Sequence, residues 1–238
     1  MVSGTSTDVA SEHRKGDRVL PGTLVFVVNE TLSDMSSLAQ RFADVGAAEH
    51  LSGTWFASLL RDGFALTAAG VNPQFADIAL ELLKQHLAGE VADPAAGADH
   101  IMAGFGELPV HPDVVSGIRD LAGMGARLMT LSNGSASVAD GLLSRSGIRS
   151  EFERVLSVED AALWKPARSA YEYALETIGL PADEVMLVAV HPWDIDGACR
   201  AGLRTAWINR GGRDYPGYFS RPDVVATSVS DLAFRLAD

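Results

Sequence analysis

The sequence contains a single cysteine, Cys199, so no disulfide can form within the chain, and we expect a reducing, cytoplasmic location. Basic residues are also scarce. The chain has 19 Lys and Arg against 31 Asp and Glu, which gives a formal net charge of -12. A negative field of this size repels the phosphates of nucleic acids and of anionic membranes. We therefore expect neither nucleic acid nor a membrane surface as a partner.

Long apolar runs are missing as well. No stretch approaches the roughly 18 consecutive apolar residues that a transmembrane helix needs. Residues 1–20 are polar and mixed in charge, without the apolar core of a secretion signal, so this segment is expected to be a disordered tail. The 238 residues, of which 47% are hydrophobic, are enough for one well-filled domain or for a core with a small second domain.

Five short apolar runs each have about the length of a buried strand. Most of them lack polar alternation, which is typical of strands covered on both faces in a parallel sheet. Segments with helical spacing and recognisable ends separate the later runs, for example from Asp113 to Gly125 and from Ala167 to Gly179. This alternation predicts an α/β fold with a doubly wound parallel sheet. The runs lie at residues 23–28, 126–132, 154–158, 185–190 and 204–209.

The first run stands apart from the others because residues 35–106 contain no strand-like run. Apolar residues recur there at three- and four-residue spacing, as in Phe75, Ile78 and Leu82. We interpret residues 35–106 as a helical cap inserted into a core that consists of residues 21–34 and 107–238. An insertion at the carboxyl end of a strand lies over the ligand-binding edge of the sheet, so it can act as a lid.

Polar side chains follow four of the predicted strands, at the edge where a parallel sheet binds its ligands. Taken singly, each has an ordinary structural explanation, such as a turn or a helix entry. Taken together, they favour a ligand site. In chain order they are Asn29, Glu30 and Thr31; Ser132 and Asn133; Lys165 and Tyr171; and His191, Trp193 and Asp194.

The order and spacing of these motifs resemble the haloacid dehalogenase superfamily over residues 21–235. The similarity is closest to its type II branch, the L-2-haloacid dehalogenases and L-cis-epoxysuccinate hydrolases. LSNGS (131–135), WKPARSAY (164–171) and HPWDIDGACRAGLRTAWINR (191–210) are similar to the second, third and fourth motifs of that family. The resemblance implies a Rossmann-like core with an inserted helical cap, a small-molecule substrate and a homodimer.

The resemblance also implies an aspartate nucleophile at the end of the first strand, within a pattern like F-D-x-x-x-T-L. Phe26, Thr31 and Leu32 fit that pattern, but Val27 stands at the position of the nucleophile. A valine cannot attack carbon or form the ester intermediate. Glu30 lies in the turn where the family usually has a glycine, and it is not an obvious substitute.

Other positions match the family, and the resemblance implies catalytic roles for Lys165, Asp194 and His191. The lysine stabilises charge, the aspartate helps to hold that lysine and the water, and the histidine is similar to one that handles water in the epoxysuccinate hydrolases. The cap arginine that binds the substrate carboxylate is not assigned to Arg61, because the register places Phe56 there. The residues expected to position the substrate are Thr31, Asn29, Ser132, Asn133, Tyr171 and Trp193.

No metal or other cofactor is expected. Phosphatases of the superfamily bind magnesium through positions that are occupied here by Val27, Asn29 and Val190. Magnesium requires hard oxygen ligands, usually carboxylates. With two of these three positions apolar, bound magnesium and phosphoryl transfer are both disfavoured.

Three interpretations of function remain open at this stage. The favoured one is an enzyme of the hydrolase, lyase or cyclase type, in which Lys165, Asp194 and His191 perform acid–base or direct-water chemistry without a covalent intermediate. The second is an inactive relative that binds a ligand in the old pocket. The third is a haloacid dehalogenase whose nucleophile has been replaced. A partly buried lysine–aspartate pair is costly to retain without a use, which favours the first.

Overall fold

The structure is a computed structural model that describes residues 22–237, so the polar tail predicted at residues 1–20 lies outside the described residues. Its centre is a parallel sheet of six strands in the order β3-β2-β1-β4-β5-β6. The strands are β1 (Thr23–Phe26), β2 (Arg127–Ser132), β3 (Phe152–Ser157), β4 (Val185–Ala189), β5 (Arg204–Ile208) and β6 (Val224–Ala226).

Helices cover both faces of this sheet, as the predicted doubly wound α/β fold requires. No helix in residues 22–237 is long and apolar enough to cross a membrane. The helices are α1 (Leu38–Asp44), α2 (Leu51–Ala68), α3 (Phe75–Leu87), α4 (Pro94–Gly106), α5 (Val114–Gly123), α6 (Ala136–Arg145), α7 (Arg168–Ile178), α8 (Pro192–Ala201) and α9 (Val229–Ala237).

The α/β prediction is confirmed, and differences are confined to single elements. All five predicted strands form, but β6, α4 and α9 were not predicted. Helix α8 begins at Pro192, shortly after the end of β4 and directly after His191. A proline suits the first helical position, because its missing N–H would have no partner there and its φ is already helical.

The central strand β1 shows why the core lies on both faces of the sheet. Successive side chains of a strand point to opposite faces. Val25 and Val27 belong to one apolar cluster, which also contains side chains of α1–α4, α7 and α8. Leu24, Phe26 and Val28 belong to the cluster on the other face, with α5, α6 and α9. Val27 therefore faces the helices that follow β1.

Residues 35–106, which we call the helical segment, carry α1 to α4 between β1 and α5. Hydrogen bonds tie the connection between α2 and α3 to the loop after β3. The Asn72 side-chain amide donates to the carbonyl oxygens of Val158 (3.1 Å) and Ala161 (2.9 Å), and the Trp164 indole N–H donates to the carbonyl oxygen of Pro73 (2.8 Å). The segment is thus fixed to the core beside the WKP motif.

Candidate functional site

Most of the polar residues predicted from the strand ends meet at the carboxyl edge of the sheet. They line a small cavity of about 20 Å³, which we call the inner pocket. A cavity of that size holds about one water molecule. Its lining residues are Val27, Asn29, Phe56, Leu60, Ser132, Asn133, Lys165, His191 and Trp193.

Val27 contributes an apolar surface to the inner pocket. Its side chain is almost fully buried, and its backbone N–H donates to the carbonyl oxygen of Val188 at 3.0 Å. Phe56 and Leu60 of α2 line the same pocket. One wall of the pocket is therefore made of hydrocarbon, and position 27 offers no group that can form a covalent bond.

Lys165, Asp194 and Tyr171 form a buried polar network next to this wall. The Lys165 Nζ atom donates to Asp194 Oδ2 at 2.7 Å, and the Tyr171 hydroxyl donates to Asp194 Oδ1 at 2.6 Å. All three side chains are at most 1% exposed. Such a network is stable only when each charge has a partner, because an unpaired buried charge loses its hydration without compensation.

The network shifts the protonation equilibria of two of its members. Burial lowers the pKa of the Lys165 ammonium, and the Asp194 carboxylate opposes that shift. Burial, together with the negative charge of Asp194, raises the pKa of the Tyr171 hydroxyl well above its ordinary value. Tyr171 is therefore a neutral hydrogen-bond donor, which holds the carboxylate in place.

The Ser132-Asn133-Gly134 turn fixes the position of Lys165. The Asn133 side chain accepts from the Lys165 backbone N–H at 3.1 Å and donates to the Lys165 carbonyl oxygen at 3.2 Å. Ser132 accepts from the Gly134 backbone N–H at 2.9 Å. In this structure the amide of Asn133 thus holds the lysine backbone, while both residues still line the inner pocket.

Thr31 lies apart from the other predicted residues. It is fully buried, does not line the inner pocket, and accepts a hydrogen bond from the Val190 backbone N–H at 3.1 Å. This bond joins the turn after β1 to the end of β4. In the structure, Thr31 therefore connects two strand ends and does not itself line the pocket.

His191 sits at the N-cap of α8 and has one nitrogen engaged and one without a partner. Its Nε2 atom lies 2.6 Å from the Glu30 Oε2 atom. The Nδ1 atom is buried and has no hydrogen-bond partner among the described residues. The ring stacks on Trp193, with centroids 5.1 Å apart. An N–H on Nε2 that faces the carboxylate leaves a lone pair on Nδ1, which can accept a proton.

Glu30 was among the polar residues predicted at the strand ends, but its contact with His191 was not predicted. Among the described residues it is the one non-glycine residue with positive φ (60°), a conformation that costs free energy for any residue with a Cβ. The His111 ring lies 3.0 Å from the Glu30 carbonyl oxygen and helps to fix this backbone. The signal in the sequence was a glutamate where the family usually has glycine, but the direction of its side chain depends on φ.

A second and much larger cavity lies on the other side of His191. It has a volume of about 740 Å³, which is within the range of small-molecule sites, and we call it the outer cleft. Phe56, Leu60 and His191 line both cavities, so these three residues separate the inner pocket from the outer cleft. The outer cleft runs between the start of α2 and the loop after β5.

The residues present do not fit a magnesium site. Val27 and Val190 offer no side-chain oxygen, and Asp194 already accepts from Lys165 and Tyr171. Within residues 22–237, no group of three or more His, Cys, Asp or Glu side chains is placed to hold a metal ion.

The cap arginine expected from the family has no counterpart in the inner pocket. Arg61 is exposed and pairs with its neighbour Asp62 at 2.7 Å. The turn of α2 that faces the pocket carries Phe56 and Leu60 instead. Arg61 therefore does not line the inner pocket.

Comparison with known proteins places these features in a family. A family model described as haloacid dehalogenase-like hydrolase matches residues 20–202. Haloacetate dehalogenase H-2 of Moraxella sp. (strain B) is 37% identical over 130 residues, which are 55% of this chain and 58% of that enzyme. That match therefore spans little more than half the length of the relative.

Other similarities extend over nearly the whole chain. The (S)-2-haloacid dehalogenase 4A of Burkholderia cepacia is 30% identical over 211 residues, covering 87% of this chain and 91% of that enzyme. A crystal structure of a dehalogenase with an intermediate complex superimposes with a TM-score of 0.86 at 29% identity, covering 92% of this chain and 99% of the other.

Proposed function

The chain belongs to the haloacid dehalogenase-like hydrolases, and we propose that it is an enzyme of this family that acts on a small organic molecule without an aspartate nucleophile. We take Val27 to occupy the place of that nucleophile. The chemistry is then non-covalent and metal-independent, of the hydrolase, lyase or cyclase type. Lys165, Asp194 and His191 carry it.

The observation that carries this proposal is the buried network beside the inner pocket. Lys165 and Tyr171 both donate to the Asp194 carboxylate, although a valine stands at the position of the nucleophile beside them. His191 lines the same pocket, and its buried Nδ1 atom has no partner among the described residues. A set of charged groups around a cavity with room for one water supports direct attack by water.

Epoxide opening illustrates the roles. His191 Nδ1 accepts a proton from the water while the water oxygen attacks an epoxide carbon and the carbon–oxygen bond breaks. The departing oxygen becomes an alkoxide, which the Lys165 ammonium stabilises and then protonates. Glu30 compensates the positive charge on the imidazolium, and Asp194 and Tyr171 hold the lysine in place. Asn29, Ser132, Asn133 and Trp193 shape the pocket around the reacting atoms.

One observation favours an inactive, ligand-binding relative as the second candidate. The Lys165 charge is already satisfied by Asp194 at 2.7 Å, so the pair is stable without a substrate. The third interpretation, a nucleophile-substituted L-2-haloacid dehalogenase, requires that restoring the aspartate also restores dehalogenation.

Assays of the native chain and of Val27→Asp on 2-haloacids and on uncharged epoxides separate these candidates. We expect the native chain to turn over an uncharged substrate, Lys165→Met to abolish that turnover, and intact-mass spectra to show no ester adduct. If only the Val27→Asp variant turns over haloacids, the nucleophile-substituted interpretation is supported. Binding without turnover across both panels supports the inactive relative. An adduct on the native chain contradicts the non-covalent mechanism.

The remaining features are proposed by resemblance and have direct tests. We propose that residues 35–106 act as a cap over a core of residues 21–34 and 107–238, that the protein is a cytoplasmic homodimer, and that it needs no metal. Sedimentation measures the oligomeric state. Turnover that is unchanged after dialysis against a chelator supports metal independence, and a loss that magnesium restores contradicts it.

A further inference from the structure

The inner pocket has no free positive charge for an anionic substrate. The one ammonium group of the pocket, that of Lys165, is paired with the Asp194 carboxylate. The His191 ring is hydrogen-bonded to the Glu30 carboxylate. The wall contributed by α2 is made of Phe56 and Leu60. A carboxylate that entered this pocket would bring its charge close to the Asp194 and Glu30 carboxylates, and the one ammonium group there is already paired, which is unfavourable.

The outer cleft does not supply the missing charge at its inner end. The charge of Arg210 is paired with the Asp113 carboxylate at 2.7 Å, and its guanidinium also donates to the carbonyl oxygen of Thr31 at 2.8 Å, while its buried Nε atom has no partner among the described residues. Arg213 is exposed in the loop after β5, beside the exposed Asp214. An exposed charge with an opposite neighbour binds an anion weakly, because solvent and the neighbour screen it.

Carboxylates outnumber guanidinium groups along the outer cleft. Glu30, Asp34 and Asp214 line it together with Arg210 and Arg213. Burial disfavours the charged form of Asp34, but hydrogen bonds from Ser36 and nearby cationic groups outweigh this and lower its pKa, so the carboxylate stays ionised. The charge lining the cleft therefore disfavours an anionic ligand.

The rest of the outer cleft is largely apolar. Between these charged groups the surface offers aromatic and aliphatic side chains that can bury a hydrophobic body. A volume of about 740 Å³ accommodates a molecule far larger than a two- or three-carbon acid. The apolar lining residues include Met35, Leu38, Phe56, Leu60, Trp207 and Pro216.

We propose that the outer cleft binds the body of an uncharged, largely apolar substrate, and that the reactive group of this substrate reaches His191 at the inner end. The assignment rests on the proposed function, since it names the substrate class of the same site. This substrate class differs from the haloacids and haloacetate that the names of the similar enzymes give. Binding does not require turnover, so this proposal can be tested separately from catalysis.

Matched pairs of ligands that differ only in charge test the proposal. Suitable probes are 3-phenylpropanamide with 3-phenylpropanoate, 1-naphthylacetamide with 1-naphthylacetate, and 2-chloropropanamide with 2-chloropropanoate. Titrations followed by NMR chemical shifts give dissociation constants even when binding is weak. We expect the two aromatic amides to bind at least about tenfold more tightly than their carboxylates, a difference of about 1.4 kcal/mol. Carboxylates that bind as tightly as the amides, or the absence of binding by both aromatic amides, overturns the proposal.

Two variants in α2 locate the binding site. Ala57 is exposed and lines the outer cleft, so Ala57→Trp should fill the cleft and weaken amide binding at least about tenfold. Ala65 is exposed on the same helix but does not line the cleft, so Ala65→Trp is the matched control and should bind as the native chain does. Equal binding by both variants overturns the assignment of the cleft.

A third variant tests the charge argument. Leu60 lines both cavities, so Leu60→Arg places an unpaired cation at their junction. We expect it to reverse the preference of each aromatic pair toward the carboxylate, while Leu60→Met keeps the preference for the amide. A preference that stays with the amide in Leu60→Arg contradicts the charge argument.

Failure of this proposal and failure of the proposed function give different results. If the amides bind in the cleft but no uncharged substrate is turned over, the substrate class stands and the enzymatic function fails. If the native chain hydrolyses a 2-haloacid without an ester adduct, the non-covalent mechanism stands and the substrate class fails.

Discussion

Gly197 of α8 lies so close to Tyr171 of α7 that a Cβ atom at position 197 would be 2.5 Å from the tyrosine hydroxyl oxygen. The same Cβ would lie 2.8 Å from the Cβ of Pro166. Contacts this short do not occur, so the absence of a side chain at position 197 allows the hydroxyl to reach Asp194.

The first prediction is that Gly197→Ala destabilises the protein and displaces Tyr171. We expect a loss of about 1–3 kcal/mol in the free energy of unfolding, because the ring must move in a closely packed core. Gly53→Ala in α2 is the control, since a Cβ there meets nothing within 4 Å. It should stabilise the protein by up to about 1 kcal/mol through helix propensity. Urea unfolding measures both, and equal effects would show that the contact is unimportant.

The second prediction concerns the two charges of the buried pair. Lys165→Met leaves the Asp194 carboxylate buried without its cation, and we expect it to cost about 3–5 kcal/mol. The double variant Lys165→Met/Asp194→Asn has no such uncompensated charge and should be more stable than the single variant. Denaturant unfolding of both proteins checks the order. A double variant that is less stable than the single one would contradict the ion-pair interpretation.

The third prediction is a change in alkaline stability. The folded chain holds the pKa of Tyr171 well above the value near 10 that applies in the unfolded chain. Above about pH 10, the unfolded chain releases a proton that the folded chain keeps, so Tyr171 makes stability fall by about 1.4 kcal/mol per pH unit. Tyr171→Phe should remove this part of the slope.

Tyr171→Phe also has an effect at neutral pH, where both states are protonated. Loss of the hydroxyl leaves Asp194 with one donor fewer, and we expect a cost of about 1–3 kcal/mol. Unfolding free energies measured from neutral pH to about pH 11 separate the two effects. Parallel pH profiles for the two proteins would show that Tyr171 ionises equally in the folded and unfolded chains.

The fourth prediction separates backbone strain from charge at Glu30. Glycine adopts positive φ without cost, so Glu30→Gly should be more stable than Glu30→Ala by about 1 kcal/mol, the reverse of the usual order of these residues. Both variants lose the contact with His191, so turnover should fall in both by a similar factor. If turnover instead falls more in Glu30→Ala than in Glu30→Gly, in the order of their stabilities, Glu30 contributes only to folding.

The sequence predicted the parts of the fold that depend on local pattern. Strands such as β4 are buried on both faces and therefore appear as continuous apolar runs. The strand β6 has three residues, of which Val225 is exposed, and so it has no such run. Helix α4 is rich in alanine and glycine, which weakens its periodic signal, although its Asp93 cap is readable.

For the candidate site, the sequence predicted which residues take part but not the directions in which their side chains point. Lys165 and Asp194 could be expected to meet, because both follow strands at one edge of the sheet. The contact between Glu30 and His191 depends on the positive φ angle of Glu30, which no pattern of residues in the sequence predicts. The outer cleft combines residues from the turn after β1, α2, the end of β4 and the loop after β5, so only the folded chain shows it.

The hydrogen bonds of Asn72 and Trp164 determine how the helical segment can move. They fix the chain just beyond the end of α2, whereas Gly53, near its start, lines the outer cleft. An 18-residue helix is roughly 27 Å long. A pivot of about 10° at the fixed end would therefore shift the other end by roughly 5 Å. Because the Trp55 indole N–H, near the start of α2, donates to the carbonyl oxygen of Ala79 in α3 at 3.0 Å, such a pivot would have to move α3 together with α2.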